Sequence, residues 1–161
     1  MTYAFDAFVT AAIFDSRARA WFALGDGVVR SEDGSVHQAH DGAVLCAVVH
    51  PSGQGLLTGG DDGAVVWTRD SGCVTLERAP GRWIDALAAS PQSGLVAWAS
   101  GREVQVRDVA DPDFRRTFSH ERSVTDLAFD PRGRRLAAAT YGGAWLWYAR
   151  IAEQKPEVLK W

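Results

Sequence analysis

Cysteine and lysine are scarce in this sequence, and it has no long apolar run. Its two cysteines, Cys46 and Cys73, are too few for the disulfide framework of a small secreted protein. No apolar stretch is long enough to span a membrane, and no basic residue precedes the apolar N-terminal stretch. We therefore predict neither a membrane segment nor a signal peptide, and we expect a cytoplasmic protein. The composition, rich in Ala, Arg and Gly, is typical of a high-GC bacterial gene.

An excess of positive charge is also missing. The formal net charge is −3 and the sequence pI is about 5.8, which argues against a general nucleic-acid binder. Hydrophobic residues make up 47% and charged residues 23% of the 161 positions. This balance predicts a folded chain that buries one sizeable core.

The sequence also lacks helical periodicity, because no segment carries a long series of apolar residues at helical spacing. The chain instead consists of short apolar runs, such as VLCAVV and LLTGG, separated by Gly, Pro and Asp. Short strands with this punctuation predict an all-β protein.

A repeat organises these runs. Proline recurs with a spacing of 40 residues, at Pro51, Pro91 and Pro131. His40 and His120 each precede such a proline by eleven residues, and Trp67 and Trp147 each follow one by sixteen. A fixed period near forty, with a His near the start and a Trp near the end, is typical of β-propeller blades.

The repeat divides the chain into four units within a single propeller region, 1–161. We place the blades at approximately residues 4–38, 39–78, 79–118 and 119–161. Each unit holds three apolar runs and a more polar fourth run, such as CVTLERA or DFRRTFS. The predicted fold is therefore an all-β β-propeller built of four-stranded antiparallel blades, with four blades in this chain.

The second unit resembles a repeat of the WD-repeat family, and the resemblance extends over nearly the whole chain. The family's histidine, Ser/Thr, turn aspartate and tryptophan are matched by His40, Thr58, Asp62 and Trp67. Ala39 replaces the Gly of the family's Gly-His pair, and Thr68 replaces the Asp of its Trp-Asp pair. The resemblance implies that the four matched side chains form a hydrogen-bonded chain inside the blade.

The later units keep less of this pattern. The fourth retains His120 and Trp147 but has Ala138 and Gly142 at the Thr and Asp positions, and the third has Pro80, Arg102 and Arg107 at the His, Asp and Trp positions. The structural blade network that we predict comprises His40, Thr58, Asp62, Trp67, His120 and Trp147.

By residue type, Thr58, His40 and Asp62 could also serve as nucleophile, base and orienting acid. The repeat register accounts for the same three residues as a structural network. His37 and His50 lie nearby in sequence but do not provide the ligand number and spacing of a zinc site. We therefore predict no catalytic residue, no cofactor and no metal site.

Binding is expected on the loops at one end of each blade, because the loop between blades and the turn between the second and third strands meet there. On this face we place Asp41, Asp61, Arg82, Trp83, Arg102, Glu121, Arg122 and Tyr141. Aromatic and Arg side chains on a rigid face are typical of protein interfaces. For Trp83, whose counterparts Ala43 and Ser123 are small, a position wedged between neighbouring blades is an equal alternative.

Six arginines crowd the fourth unit: Arg115, Arg116, Arg122, Arg132, Arg134 and Arg135. The favoured interpretation is a solvated blade rim, because the rest of the chain does not extend the basic patch. An acidic peptide groove is the better functional alternative, and RNA binding is a further one.

Four units are fewer than the seven or eight blades with which the resembled family usually closes its ring. The sequence also ends where a fifth unit would begin. We therefore expect an open set of blades, or one completed by another copy or by a longer parent, and we expect exposed blade edges to favour self-association.

These observations predict a non-enzymatic protein–protein interaction scaffold that binds a protein or peptide through the propeller face. The alternatives are a propeller enzyme of the hydrolase or lactonase type and RNA binding through the Arg-rich fourth blade. No membrane association is expected, and nucleic acid is not the expected partner.

Overall fold

The computed structural model describes residue 2 and residues 4–161 of the chain. Within this part there are sixteen β-strands and no helix, which confirms the all-β prediction. The strands form four separate four-stranded antiparallel sheets, each a simple meander in which consecutive strands pair. This is the predicted set of four-stranded antiparallel blades.

The first two sheets lie in the first half of the chain. Sheet 1 contains β1 (Val9–Phe14), β2 (Ala20–Leu24), β3 (Val28–Ser31) and β4 (Val36–Gln38). Sheet 2 contains β5 (Val44–Val49), β6 (Leu56–Gly60), β7 (Ala64–Arg69) and β8 (Gly72–Arg78).

The other two sheets follow in the same order. Sheet 3 contains β9 (Ala86–Ser90), β10 (Leu95–Ser100), β11 (Glu103–Asp108) and β12 (Arg115–Ser119). Sheet 4 contains β13 (Val124–Phe129), β14 (Arg135–Thr140), β15 (Gly143–Tyr148) and β16 (Glu157–Lys160).

The chain forms two compact units. One comprises the residues up to Val49 together with Gly53–Ile84, and the other comprises His50–Ser52 together with Asp85–Trp161. The first unit holds sheets 1 and 2, with β1 beside β5, and the second holds sheets 3 and 4, with β9 beside β13. In each unit, therefore, the first strands of two successive sheets are neighbours.

Each unit has its own apolar core. In the first unit the buried cluster combines Trp21 and Val29 of sheet 1 with Val44, Leu56 and Val66 of sheet 2. The second unit buries a corresponding cluster from sheets 3 and 4, which includes Leu95, Val104, Phe118, Leu136 and Trp147. β6 is buried at every position and β10 at all but its last, instead of alternating, which indicates that both faces of these two strands are covered.

Candidate interaction surface

His40 is the centre of a hydrogen-bonded group in sheet 2. Its Nδ1 lies 3.0 Å from Asp62 Oδ1, and its Nε2 lies 2.8 Å from Thr58 Oγ1. Because the carboxylate can only accept, Nδ1 carries the proton in the neutral imidazole, and Nε2 accepts the Thr58 hydroxyl. His40 and Thr58 are both buried, so this group ties the loop before β5 to β6.

Asp62 completes the group from the turn between β6 and β7. Besides His40, it accepts the backbone N–H of Asp41 (3.0 Å) and that of Ala64 (3.0 Å). Burial raises the pKa of Asp62, but the hydrogen bonds from His40, Ala64 and Asp41 outweigh it, and the net pKa is lowered. Gly60 makes the approach possible, since a Cβ at this position would collide with His40 Nδ1 and Asp62 Oδ1.

Trp67 does not belong to this group, contrary to the sequence prediction. Its indole N–H donates to the carbonyl oxygen of Gln54 at 2.9 Å. In the strand register Trp67 pairs with Leu57, whereas Thr58 pairs with Val66. Neighbouring residues of a strand point to opposite faces, so Trp67 and Thr58 lie on opposite sides of the sheet.

His120 forms the corresponding group in the second unit, with different partners. Its Nδ1 lies 3.2 Å from the carbonyl oxygen of Arg102, and its Nε2 accepts the indole N–H of Trp147 at 3.0 Å. The carbonyl takes the place of the missing Asp, and the indole reaches the imidazole directly because Ala138 has no hydroxyl. Burial lowers the pKa of His120, which fits a neutral ring that both donates and accepts.

Turn length explains why two tryptophans with the same sequence spacing have different positions. Three residues separate β6 from β7, but only two, Tyr141 and Gly142, separate β14 from β15. The residue opposite Leu136 is therefore Trp147, while the residue opposite Leu56 is Thr68. One extra turn residue has moved Trp67 to the other face of its sheet.

Sheet 3 has an aromatic–cation pair where the network would lie. Trp98 is buried and is the sheet 3 counterpart of Thr58. Trp98 pairs with Leu87 of β9 just as Thr58 pairs with Ala47 of β5. The guanidinium of Arg107 lies 5.1 Å from the centroid of the Trp98 ring. A cation–π contact thus replaces hydrogen bonds in this sheet.

The predicted binding-face residues of the first unit lie at one end of sheet 2. Asp41 precedes β5, Asp61 is in the turn between β6 and β7, and Arg82 and Trp83 follow β8. Asp41 accepts a hydrogen bond from Arg78 Nη1 at 3.1 Å. Trp83 is 65% exposed, so its ring is not wedged in a core.

The predicted residues of the second unit lie at the corresponding ends of sheets 3 and 4. Arg102 is in the turn between β10 and β11, Glu121 and Arg122 precede β13, and Tyr141 is in the turn between β14 and β15. The last three line an open cleft of about 770 Å³. We call it the Tyr141 cleft and define it by Glu121, Arg122, Thr140, Tyr141, Gly142, Trp145, Lys160 and Trp161.

Five residues of the Tyr141 cleft were not predicted as binding residues from the sequence: Thr140, Gly142, Trp145, Lys160 and Trp161. Trp145 belongs to β15, whose AWLW run has the sequence of an ordinary core strand. Lys160 is the last residue of the outer strand β16, and Trp161 follows it. The signal that could have found Trp145 is its spacing of two from Trp147, which puts both rings on one face. Lys160 Nζ lies 3.6 Å from Glu121 Oε2 and closes one side of the cleft with an exposed ion pair, which is weak by nature.

In the part of the chain that the structure describes, no three His, Cys, Asp or Glu side chains are grouped so that they could hold a metal ion. No helix among these residues has the length and apolar character needed to cross a membrane.

Four meander sheets in tandem, with a His-centred network in two of them, define a protein made of β-propeller blades. Residues 31–67 and 112–147 match the family model described as WD domain, G-beta repeat. The first matched segment runs from the end of β3 into β7, and the second runs from just before β12 into β15. Residues 31–67 and 112–147 are therefore WD repeats, and the four sheets are consistent with a fragment of a WD-repeat β-propeller. A search among curated proteins found no similar sequence.

Proposed function

We propose that this chain is a non-enzymatic scaffold that binds a protein or peptide segment in the Tyr141 cleft. WD repeats are generally protein-interaction modules, and the proposal assigns that role to a particular surface. The observation that carries it is the pair of aromatic side chains at the cleft, Tyr141 at 81% and Trp161 at 86% exposure. Aromatic rings with so much free apolar area are stabilised by a partner that covers them.

The charges of the cleft support a peptide ligand. In the described part of the chain, the Arg122 guanidinium has no hydrogen-bond or ion-pair partner, and the Glu121–Lys160 pair is largely exposed. Tyr, Trp and Arg are the residue types that dominate interface hot spots. The half-buried ring of Trp145 supplies an apolar surface between these polar groups.

Burial also favours binding over catalysis. Thr58 is the only hydroxyl that contacts His40 in sheet 2, among the residues described, and both side chains are inaccessible to a substrate. Both ring nitrogens of His40 are already hydrogen-bonded, one to Asp62 and the other to Thr58. A nucleophile needs access to its substrate as well as an adjacent base.

We also propose that the protein works in a reducing compartment such as the cytoplasm. Neither Cys46 nor Cys73 is in a disulfide bond, and an exposed thiol is uncommon in oxidising compartments. Cys73 is exposed.

The proposal can be tested by selecting short peptides from a random phage-display library on the purified protein and measuring their affinities by fluorescence anisotropy. We expect Tyr141→Ala and Trp161→Ala to weaken the selected peptides by about tenfold or more. Phe8→Ala is the control, because Phe8 is an exposed aromatic residue of the first unit and lies outside the cleft. Selected peptides that bind the Tyr141 and Trp161 variants as tightly as the parent would contradict the proposal.

A further inference from the structure

The arginines of the fourth sheet divide between its two ends. Arg122 lies in the Tyr141 cleft, whereas Arg132, Arg134 and Arg135 lie on the connection from β13 to β14, at the opposite end of sheet 4. Arg150 follows β15 at that same end. We call the surface formed by Arg132, Arg134, Arg135 and Arg150 the arginine end.

Two open grooves meet at the arginine end. One, of about 390 Å³, is lined by Asp130, Pro131, Arg132, Arg134, Arg135 and Tyr148. The other, of about 350 Å³, is lined by Ser93, Arg132, Gly133, Arg134, Tyr148, Arg150 and Ile151. Because Arg132, Arg134 and Tyr148 line both grooves, the two grooves form one continuous surface.

The backbone of this turn is held firmly. Asp130 Oδ1 accepts the N–H groups of Arg134 (2.6 Å) and Arg135 (2.9 Å), and these bonds lower the pKa of Asp130. Gly133 has a φ of +64°, and a Cβ there would collide with Ser90 Oγ and Ser93 Oγ. The positions from which the arginine side chains project are therefore fixed before any ligand binds.

The carboxylates at this end are already engaged. Asp130 is used by backbone N–H groups, and Asp108 Oδ2 accepts Arg150 Nη2 at 2.6 Å. Within residue 2 and residues 4–161, the guanidinium groups of Arg132, Arg134 and Arg135 make no hydrogen bond or ion pair, and all three residues are exposed. The Asp130 carboxylate attracts Arg132 and Arg135, but one carboxylate does not balance three neighbouring cations, and an anionic ligand would relieve their remaining repulsion.

Apolar side chains accompany these cations. Tyr148 is 48% and Ile151 is 49% exposed, and both line the grooves. We propose that the arginine end binds a short acidic peptide segment, with carboxylates on the unpaired guanidinium groups and an aliphatic side chain against Tyr148 and Ile151. Arginine pairs with carboxylates in a forked geometry that favours such a ligand.

RNA is the less suitable occupant. Nucleic-acid surfaces carry basic residues over an extended area, and here the unpaired cations are confined to one turn of a chain whose net charge is −3. The proposal is independent of the Tyr141 cleft, since the two surfaces share no residue.

The test is fluorescence anisotropy with a labelled peptide of alternating Glu and Leu, a matched peptide of alternating Gln and Leu, and a labelled single-stranded oligouridylate. We expect the Glu peptide to bind the 161-residue protein at least about tenfold more tightly than the Gln peptide. We expect the triple variant Arg132→Gln/Arg134→Gln/Arg135→Gln to lose at least about tenfold in affinity for the Glu peptide. The corresponding triple Lys variant should retain part of the affinity, because it keeps the charge but loses the fork.

Arg17→Gln, which removes an exposed arginine of the first unit, is the matched control and should bind the Glu peptide as the parent does. Thermal melts check that each variant is folded, and the single variant Arg134→Gln serves if the triple variant is not. Equal affinity for the Glu and Gln peptides, an unchanged affinity in the Gln variants, or tighter binding of the oligouridylate would each overturn the proposal.

Discussion

At the residue scale, His40 and His120 have the same task and different partners. Each links the loop before a first strand to the interior of its blade, and each is buried. His40 donates to a carboxylate and accepts a hydroxyl, whereas His120 donates to a carbonyl and accepts an indole N–H. The imidazole is suited to both arrangements because a neutral ring has one donor and one acceptor.

Asp62→Ala should lower the free energy of unfolding. It removes the acceptor for His40 Nδ1 and for the N–H groups of Asp41 and Ala64, and unsatisfied buried groups cost about 1–3 kcal/mol. Urea unfolding followed by tryptophan fluorescence measures the change. Asp61→Ala, one residue away on the same turn, is the control and should have little effect; similar losses in both variants would contradict the role given to Asp62.

His120 should make the stability depend on pH. Burial lowers its pKa below the ordinary value of 6.5, so the unfolded chain takes up a proton at a higher pH than the folded one. The contribution of the neutral His120 ring to the free energy of unfolding is complete above pH 6.5. It declines as the pH falls from there towards the lowered pKa of the folded state. Urea unfolding at several pH values should therefore show a flatter profile in this window for His120→Gln than for the parent, and identical slopes would contradict the prediction.

At the scale of the elements, the turn between the second and third strands decides which side chains meet. The three-residue turn of sheet 2 places Thr68 opposite Leu56, and the two-residue turn of sheet 4 places Trp147 opposite Leu136. Trp147 consequently stacks on Phe118, with ring centroids 4.6 Å apart, and donates to His120. Trp67 is directed to the carbonyl of Gln54 instead.

Trp147→Phe should therefore destabilise the protein more than Trp67→Phe. The first substitution leaves His120 Nε2 buried without a donor, at a cost of about 1–3 kcal/mol. The second affects a half-buried ring with a hydrogen bond at the surface, and we expect a loss below about 1 kcal/mol. Thermal unfolding of the two variants side by side gives the comparison, and an equal or larger loss for Trp67→Phe would show that the register argument is wrong.

Much of the fold follows from the sequence, because blades repeat and strands have a strict period of two. The recurrence of proline and the alternation of apolar runs with Gly and Asp turns led to four sheets of four strands. Trp67 and Trp147 both follow their proline by sixteen residues, and this equal spacing predicts equal positions in the blade. The turn before β7 is one residue longer than the turn before β15, so the two side chains lie on opposite faces of their sheets. The Tyr141 cleft could be predicted only in part, because Trp145 looks like core and Lys160 and Trp161 reach the cleft through pairing of β16 with β15.

At the scale of the whole molecule, large apolar side chains are exposed on the first and the last strand. Phe8 and Phe14 are exposed at the two ends of the first strand, and Leu159 is exposed on the last. Exposed apolar side chains of this size favour association.

We therefore expect the 161-residue protein to self-associate at high concentration. Sedimentation velocity over a concentration series should show species heavier than the 17.5 kDa chain. Phe14→Ser should shift the distribution towards the single chain, while Val74→Ser, on the polar fourth strand of sheet 2, should change it less. A single 17.5 kDa species at all concentrations would contradict this expectation.

The whole molecule also presents two chemically different ends on sheet 4, an aromatic cleft and a cationic turn. The central claim is that the aromatic cleft binds the partner. Hydrogen–deuterium exchange of the protein with and without a selected peptide locates the bound segment directly. The account predicts slower exchange at residues 121–123 and 140–145, with residues 130–135 unchanged; protection confined to residues 130–135, or absent from the Tyr141 cleft, would contradict it.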